Sequence, residues 1–274
     1  MINKFPQIQP HYSIEVIEPK HVYLLGEQST HALTGQLYCQ ILPLLNGQYP
    51  LDEIYQKLDG RVQREHIDFV LNRLDEKGYL TETAPELSQE VAAFWSALGV
   101  APNVAARGLQ QQQVTITSVG DISDLTKASF TEALRDTGIS VQAQTAALQV
   151  VLTDDYLQPQ LAEINHNSLS TGQPWLLVKP VGNILWLGPI FVPGKTGCWD
   201  CLTQRLRGNR EVEASVLRQK QGNITGCLPT AKATLSSTLQ MGLQFAATEI
   251  AKWVVRTNVK ETGQEPVLFP TLEG

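Results

Sequence analysis

The chain has 274 residues, 42% of them apolar and 18% charged, with a formal net charge of −6. These are proportions of a globular protein long enough for two modest domains. The longest apolar runs are too short to cross a bilayer, and the opening MINKFPQIQPHYS has one lysine and no continuous apolar stretch, so neither a membrane span nor a secretory signal is expected. Four cysteines, two in a Cys-x-x-Cys pair, fit a reducing compartment better than a disulfide framework, and the cytoplasm is the expected location.

In chain order, Tyr12, Ile14 and Val16 alternate with polar neighbours, Glu18, Pro19 and Lys20 interrupt, and Val22, Leu24 and Gly26 follow, which predicts a hairpin. A third extended stretch covers Thr30 to Leu33. Thr34 is expected to cap the next helix, whose stripe is Leu37, Tyr38, Ile41, Leu42 and Leu45 and which stops at Asn46 and Gly47. A second helix carries Leu51, Ile54, Tyr55 and Leu58. A third, from about Gln63 to Lys77, turns Ile67, Val70, Leu71 and Leu74 inward, with Gly78 at its C-terminal cap and Tyr79 and Leu80 as a wing strand. Three short strands followed by three such helices predict a winged helix-turn-helix module over residues 1–81.

That architecture most often reads DNA. Residues 1–81, however, carry seven Lys and Arg against ten Asp and Glu, and the third helix has three basic and four acidic residues. A duplex backbone would repel it, and nucleic acid is not an expected partner. The other site such a module offers is the free edge of the last strand beside the third helix, where a peptide adds as a further strand. Ser29, Thr30, His31, Ala32 and Leu33 supply that edge. Phe69 lies opposite the inward stripe with Arg73 one turn on, placed either to anchor a peptide or to pack against another part of the chain.

Residues 82–113 read as a helical connector, with Val91, Phe94, Trp95 and Leu98 at helical spacing, then a glycine-containing stretch and four glutamines from Gln110. From 114 to 274 the pattern predicts an α/β domain. Strands are expected at Val114 to Val119, Leu148 to Leu152, Trp175 to Val178 and Ile184 to Phe191, with helices between the first two and near Leu157 to Asn165. A long helix carries Leu239, Leu243, Ala246, Ile250, Trp253 and Val254. Strands separated by helices point to a largely parallel sheet.

Several residues there are candidates for chemistry. Ser118-Val119-Gly120-Asp121 holds one glycine where a phosphate cradle needs several, and Lys195 in Pro-Gly-Lys-Thr-Gly lacks phosphate-loop spacing, so no nucleotide is expected to bind this chain. Asp154 and Asp155 are read as caps of the following helix rather than metal ligands. Cys198 and Cys201 hold the spacing of half a tetrahedral zinc site, with Cys227 as a candidate third sulfur and a redox pair as the other reading. The five histidines show no metal spacing, and no catalytic constellation is evident.

The stretches HYSIEVIEPKHVYLLGEQ, HALTGQLYCQILPLLNG and HIDFVLNRLDEKGYLTE closely resemble the N-terminal part of cyanobactin heterocyclases, the TruD, LynD and PatD type of azoline-forming cyclodehydratase. The resemblance continues through PWLLVKPVGNILWLGPIFVPGKTGCWDCL and on to QFAATEIAKW, covering nearly the whole chain. It implies that residues 1–81 are a RiPP recognition element binding the leader of a ribosomally made precursor by strand addition. Residues 114–274 would be a degenerate ThiF-like (ubiquitin-activating-enzyme-like) scaffold domain, truncated at its C-terminus. It further implies dimerisation through the second domain, a second cysteine pair beyond Gly274, and ATP-dependent azoline formation on a YcaO domain or protein rather than on this chain. The sequence ends before any such domain, so a role in recognition and scaffolding without turnover is expected. A DNA-binding regulator and an enzyme activating a carboxylate with ATP are the competing readings.

Overall fold

The computed structural model describes residues 4–142, 146–220, 227–228 and 230–262. The chain divides into two compact units, with boundaries between Arg107 and Gly108 and, near the end of the last helix, between Asn258 and Val259.

In the first unit, β1 (Pro6–Ile8) precedes a meander of β2 (Ser13–Ile17), β3 (His21–Leu25) and β4 (Thr30–Thr34), in the order β2-β3-β4 and antiparallel throughout. Period-two alternation sends Val22, Leu24 and Leu33 inward. Three helices follow: α1 (Gln36–Ile41), continued by a 3₁₀ turn at Leu42–Leu44, then α2 (Leu51–Leu58) and α3 (Arg64–Glu76). Pro43 explains the tightening, because it has no N–H to give an α-helical ladder. Ile41, Leu42, Leu45, Ile54, Leu58, Ile67, Val70, Leu71 and Leu74 close over the sheet as one core.

Two expectations are corrected. The cap of α1 is Gly35, with no side-chain cap bond, and Thr34 ends β4 instead. The wing, β5 (Leu80–Glu82), pairs with β1 in a separate two-stranded sheet, and Tyr79 joins a ring cluster. Next come α4 (Gln89–Ala97), capped by the Ser88 hydroxyl accepting from the Val91 N–H at 3.3 Å, and α5 (Pro102–Gln111), a second helix in the glycine-containing part of the expected helical connector. Proline at the first helical position and buried Ala105 and Leu109 account for α5.

The second unit contains β6 (Gln113–Val119), α6 (Asp124–Asp136), β7 (Ser140–Val141), β8 (Leu148–Thr153), α7 (Leu161–Thr171), β9 (Trp175–Lys179), β10 (Trp186–Phe191), α8 (Trp199–Gly208), α9 (Glu211–Gln219) and α10 (Ser236–Thr262). The sheet order is β10-β9-β8-β6-β7, parallel except for β10. One face packs Val119, Val151, Trp175 and Leu177 against Leu161 and Trp199. Chain order reverses between β6 and β8, so the strand ends carrying Gly120 and Asp154 meet at the topological switch point. Gly226 and residues 263–274 lie outside the described residues.

Candidate functional site

The register of β4 decides which of its backbone groups are free. Leu25 pairs with Thr30, Leu24 with His31, Tyr23 with Ala32, Val22 with Leu33 and His21 with Thr34. The Gly26 N–H donates to the Ser29 carbonyl at 3.0 Å, and the Gly35 N–H to the Lys20 carbonyl at 2.7 Å. In an antiparallel ladder bonded and non-bonded pairs alternate. Ser29, His31, Leu33 and Gly35 therefore bond inward to β3, while Thr30, Ala32 and Thr34 direct their N–H and C=O groups outward. Among the described residues no strand pairs with that outer edge.

Beside the C-terminal end of β4 is an open cavity of about 520 Å³, lined by Thr34, Gly35, Tyr38, Arg61, Phe69 and Arg73 among others. Phe69 is 57% exposed although the inward residues of the same helix are almost fully buried. Neither Arg61 nor Arg73 takes part in an ion pair among the described residues, and Asp68 is occupied by the Tyr55 hydroxyl, which donates to it. The cavity thus joins an apolar ring, two cationic side chains and the end of an unpaired strand.

Of the seven residues singled out for peptide binding, Thr30 and Ala32 carry outward backbone groups, and Phe69 and Arg73 line the cavity. Leu33 is core, and Ser29 and His31 turn to Tyr12, whose hydroxyl lies 3.1 Å from each. Thr34, Gly35, Tyr38 and Arg61 were not anticipated. They come from two stretches, residues 34–38 and Arg61, brought together by folding, though Arg61 directly after the Gly60 turn is a basic residue the sequence could have flagged.

In the second unit the Cys198 and Cys201 sulfurs lie 3.7 Å apart at the N-terminus of α8. Zinc–sulfur bonds of about 2.3 Å in a tetrahedron require a sulfur–sulfur edge of about 3.8 Å, so the pair has the right span for two of four ligands. The backbone N–H of Cys201 holds the Cys198 thiol below its usual range against the opposing effect of burial. Cys227 does not supply the third sulfur. It lines a different cavity with Trp199, Asp200 and Arg210, where burial and then Asp155 push its thiol up to about 12. Among the described residues no three metal-type side chains converge.

At the switch point, Gly120 has φ of 78°, and a Cβ there would stand 1.9 Å from the Asp154 carboxylate. Lys232 bonds Asp154 and lies 3.8 Å from Asp121, while Gln158 donates to Asp154 at 2.8 Å. Burial alone would raise the Asp154 carboxyl, but these donors hold it below the usual carboxylate range. The expected helix-capping role is corrected. The α7 cap is Gln160, without a side-chain bond, whereas Asp155 accepts from the Leu157 N–H at 2.8 Å in the preceding turn and from Arg210 at 2.8 Å. A phosphate at this turn would face the Asp121 and Asp154 carboxylates together with the Lys232 ammonium.

Comparison with known proteins decides the relationship. A family model described as a winged helix-turn-helix domain matches residues 7–82. A solved heterocyclase in complex with substrate and cofactor is 71% identical with a TM-score of 0.93, over 99% of this chain and 36% of that one. The heterocyclase TruD is 64% identical with a TM-score of 0.93, over 98% of this chain and 39% of its own. Over the stretch it spans, the chain belongs to the heterocyclase family. That stretch is a little over a third of the heterocyclases it matches. Escherichia coli MccB, crystallised with succinimide, is 14% identical with a TM-score of 0.54, over 92% of this chain and 89% of its own, and shares the fold alone. This heterocyclase segment is a winged helix-turn-helix module followed by a ThiF-like α/β domain. No curated protein matches the chain. No helix among the described residues is long and apolar enough to cross a membrane.

Proposed function

We propose that the winged-helix module of this heterocyclase segment binds the leader of a ribosomally made precursor peptide along the outer edge of β4, and that the ThiF-like domain serves as a scaffold. The core peptide is thereby presented to a YcaO domain or protein, where ATP-dependent attack of a Cys, Ser or Thr side chain on the preceding amide forms an azoline. The unpaired edge of Thr30, Ala32 and Thr34 next to the Phe69 cavity carries this reading. Those three residues present six main-chain bonding groups, the cavity takes an apolar side chain against Phe69, and Arg61 and Arg73 favour an acidic neighbour. Tethering raises the local concentration of the core at a catalytic centre and needs no reactive group in the tether. This account involves no nucleotide on the present chain. Cys198 and Cys201 are proposed as two ligands of a structural zinc, and dimerisation through the ThiF-like domain as the assembly.

Calorimetric titration of a synthetic leader from a TruD precursor onto the chain tests the reading. Binding of order micromolar is expected, with no azoline formed until a YcaO protein and ATP are added. Absence of heat with the leader, or binding that a leaderless core peptide reproduces, would reject it.

A further inference from the structure

In the second unit β7 covers only the first part of the outer edge of β6. It pairs Ser140 with Gln113 and Val141 with Val114, and the Gln142 N–H donates to the Val114 carbonyl at 2.9 Å. Along a parallel strand the N–H and C=O of one residue point to the same neighbour, and those of the next residue to the other side. Val114 faces β7, so Ile116 and Ser118 face the same way, past the end of that short strand, while Thr115 and Thr117 face β8. Among the described residues no strand pairs with the outward main-chain groups of Ile116 and Ser118, and Ser118 is exposed. The place of a further strand is an open cavity of about 590 Å³. Ile116 and Gln142 line it at the edge, Lys127 and Thr131 from α6, and Thr117 and Gln149 from the sheet, where the Gln149 amide nitrogen donates to the Thr117 hydroxyl at 3.1 Å. Lys127 is the one charged residue among the described lining; it is half-buried, and no carboxylate pairs with it among the described residues.

We infer that the outer edge of β6 is a second strand-addition site, taking a short, extended, polar peptide that carries a carboxylate to Lys127. Two N–H and two C=O groups from Ile116 and Ser118 fix the incoming backbone. The hydroxyls and carboxamides around them bond polar side chains, and a half-buried ammonium without a counter-charge selects an acidic one. A second copy of the chain suits the edge poorly. Two-fold pairing with Ile116 opposite Ser118 would bring Gly120 of the copy opposite Val114, a place that Val141 already holds. The gap above β7 therefore fits a short segment. This site shares no residue with the edge of β4, so it stands whether or not a leader binds there.

Amide signals of the full ¹⁵N-labelled chain, followed during titration with the acetylated and amidated peptide Thr-Val-Glu-Val-Thr, test the site. Millimolar excess should slow exchange of the Ile116 and Ser118 amides by at least roughly threefold. The same peptide with Gln in place of Glu should bind roughly threefold more weakly, a gap that closes as salt is raised and vanishes in Lys127→Met. Ser118→Pro, which removes an outward N–H from an edge strand, should abolish the response in a chain that melts like its parent. Exchange unchanged at Ile116 and Ser118, a response confined to β4, or equal affinity of the two peptides for the parent chain would overturn the proposal. So would sedimentation showing a dimer that Ser118→Pro converts to monomer, because a second copy would then own the edge.

Discussion

Ala32→Pro separates the outer edge of β4 from the inner one. The Ala32 N–H points away from β3, so its loss costs the native ladder nothing, and proline is tolerated on an edge strand where the N–H faces outward. The preceding residue must be extended, and His31 already is. For an incoming strand the substitution removes one donor and places the ring Cδ where the partner carbonyl would approach, disturbing about two main-chain bonds. At about 0.5–1.5 kcal/mol each, leader affinity should fall by about 1–3 kcal/mol, roughly 5-fold to 150-fold. Fluorescence anisotropy of a labelled leader measures that, and thermal melting should show stability within about 1 kcal/mol of the parent. Unchanged affinity in a folded variant would refute capture at this edge. Leu33→Pro provides the contrast, because it breaks an inward N–H bond and the core and should unfold the module.

Other substitutions probe the remaining parts. Phe69→Ala should weaken the leader by about 1–2 kcal/mol while leaving stability within about 0.5 kcal/mol, since Phe69 is largely exposed, whereas Leu71→Ala on the same helix should cost about 2–5 kcal/mol in a melt. Arg73→Glu should slow leader association, an effect that shrinks as salt is raised in stopped-flow measurements. Lys232→Met leaves the Asp154 carboxylate without its cation and should destabilise the second unit by about 1–3 kcal/mol. Because the folded Asp154 value is depressed, its contribution is present above the ordinary carboxylate range and lost as pH falls through the folded value. Melts across an acid series should therefore be flatter for the variant.

The winged-helix module was legible because its signals are local. Alternation in β2 to β4 and three-and-four spacing in the helices fixed elements whose cores matched the expected stripes. The β1–β5 pairing was not legible, because Pro6–Ile8 is three residues long, opens with proline and finds its partners far along the chain, Pro6 with Glu82 and Ile8 with Leu80. Asp154 and Asp155 misled for a similar reason. Before a helix they resemble caps, yet their partners Lys232 and Arg210 arrive from distant sequence. Phe69 and Arg73 could be picked out by helical spacing, while Tyr38 and Arg61 enter the same cavity from other segments, a convergence no one-dimensional pattern encodes.

The most direct measurement is residue-resolved amide exchange of the chain with and without the TruD leader. The account predicts that saturating leader slows exchange at Thr30, Ala32 and Thr34, the outward N–H groups of β4, and leaves Ile14 and Val16 on the opposite edge as they were. Protection confined to β2, or none on either edge of the sheet while the peptide is demonstrably bound, would contradict it.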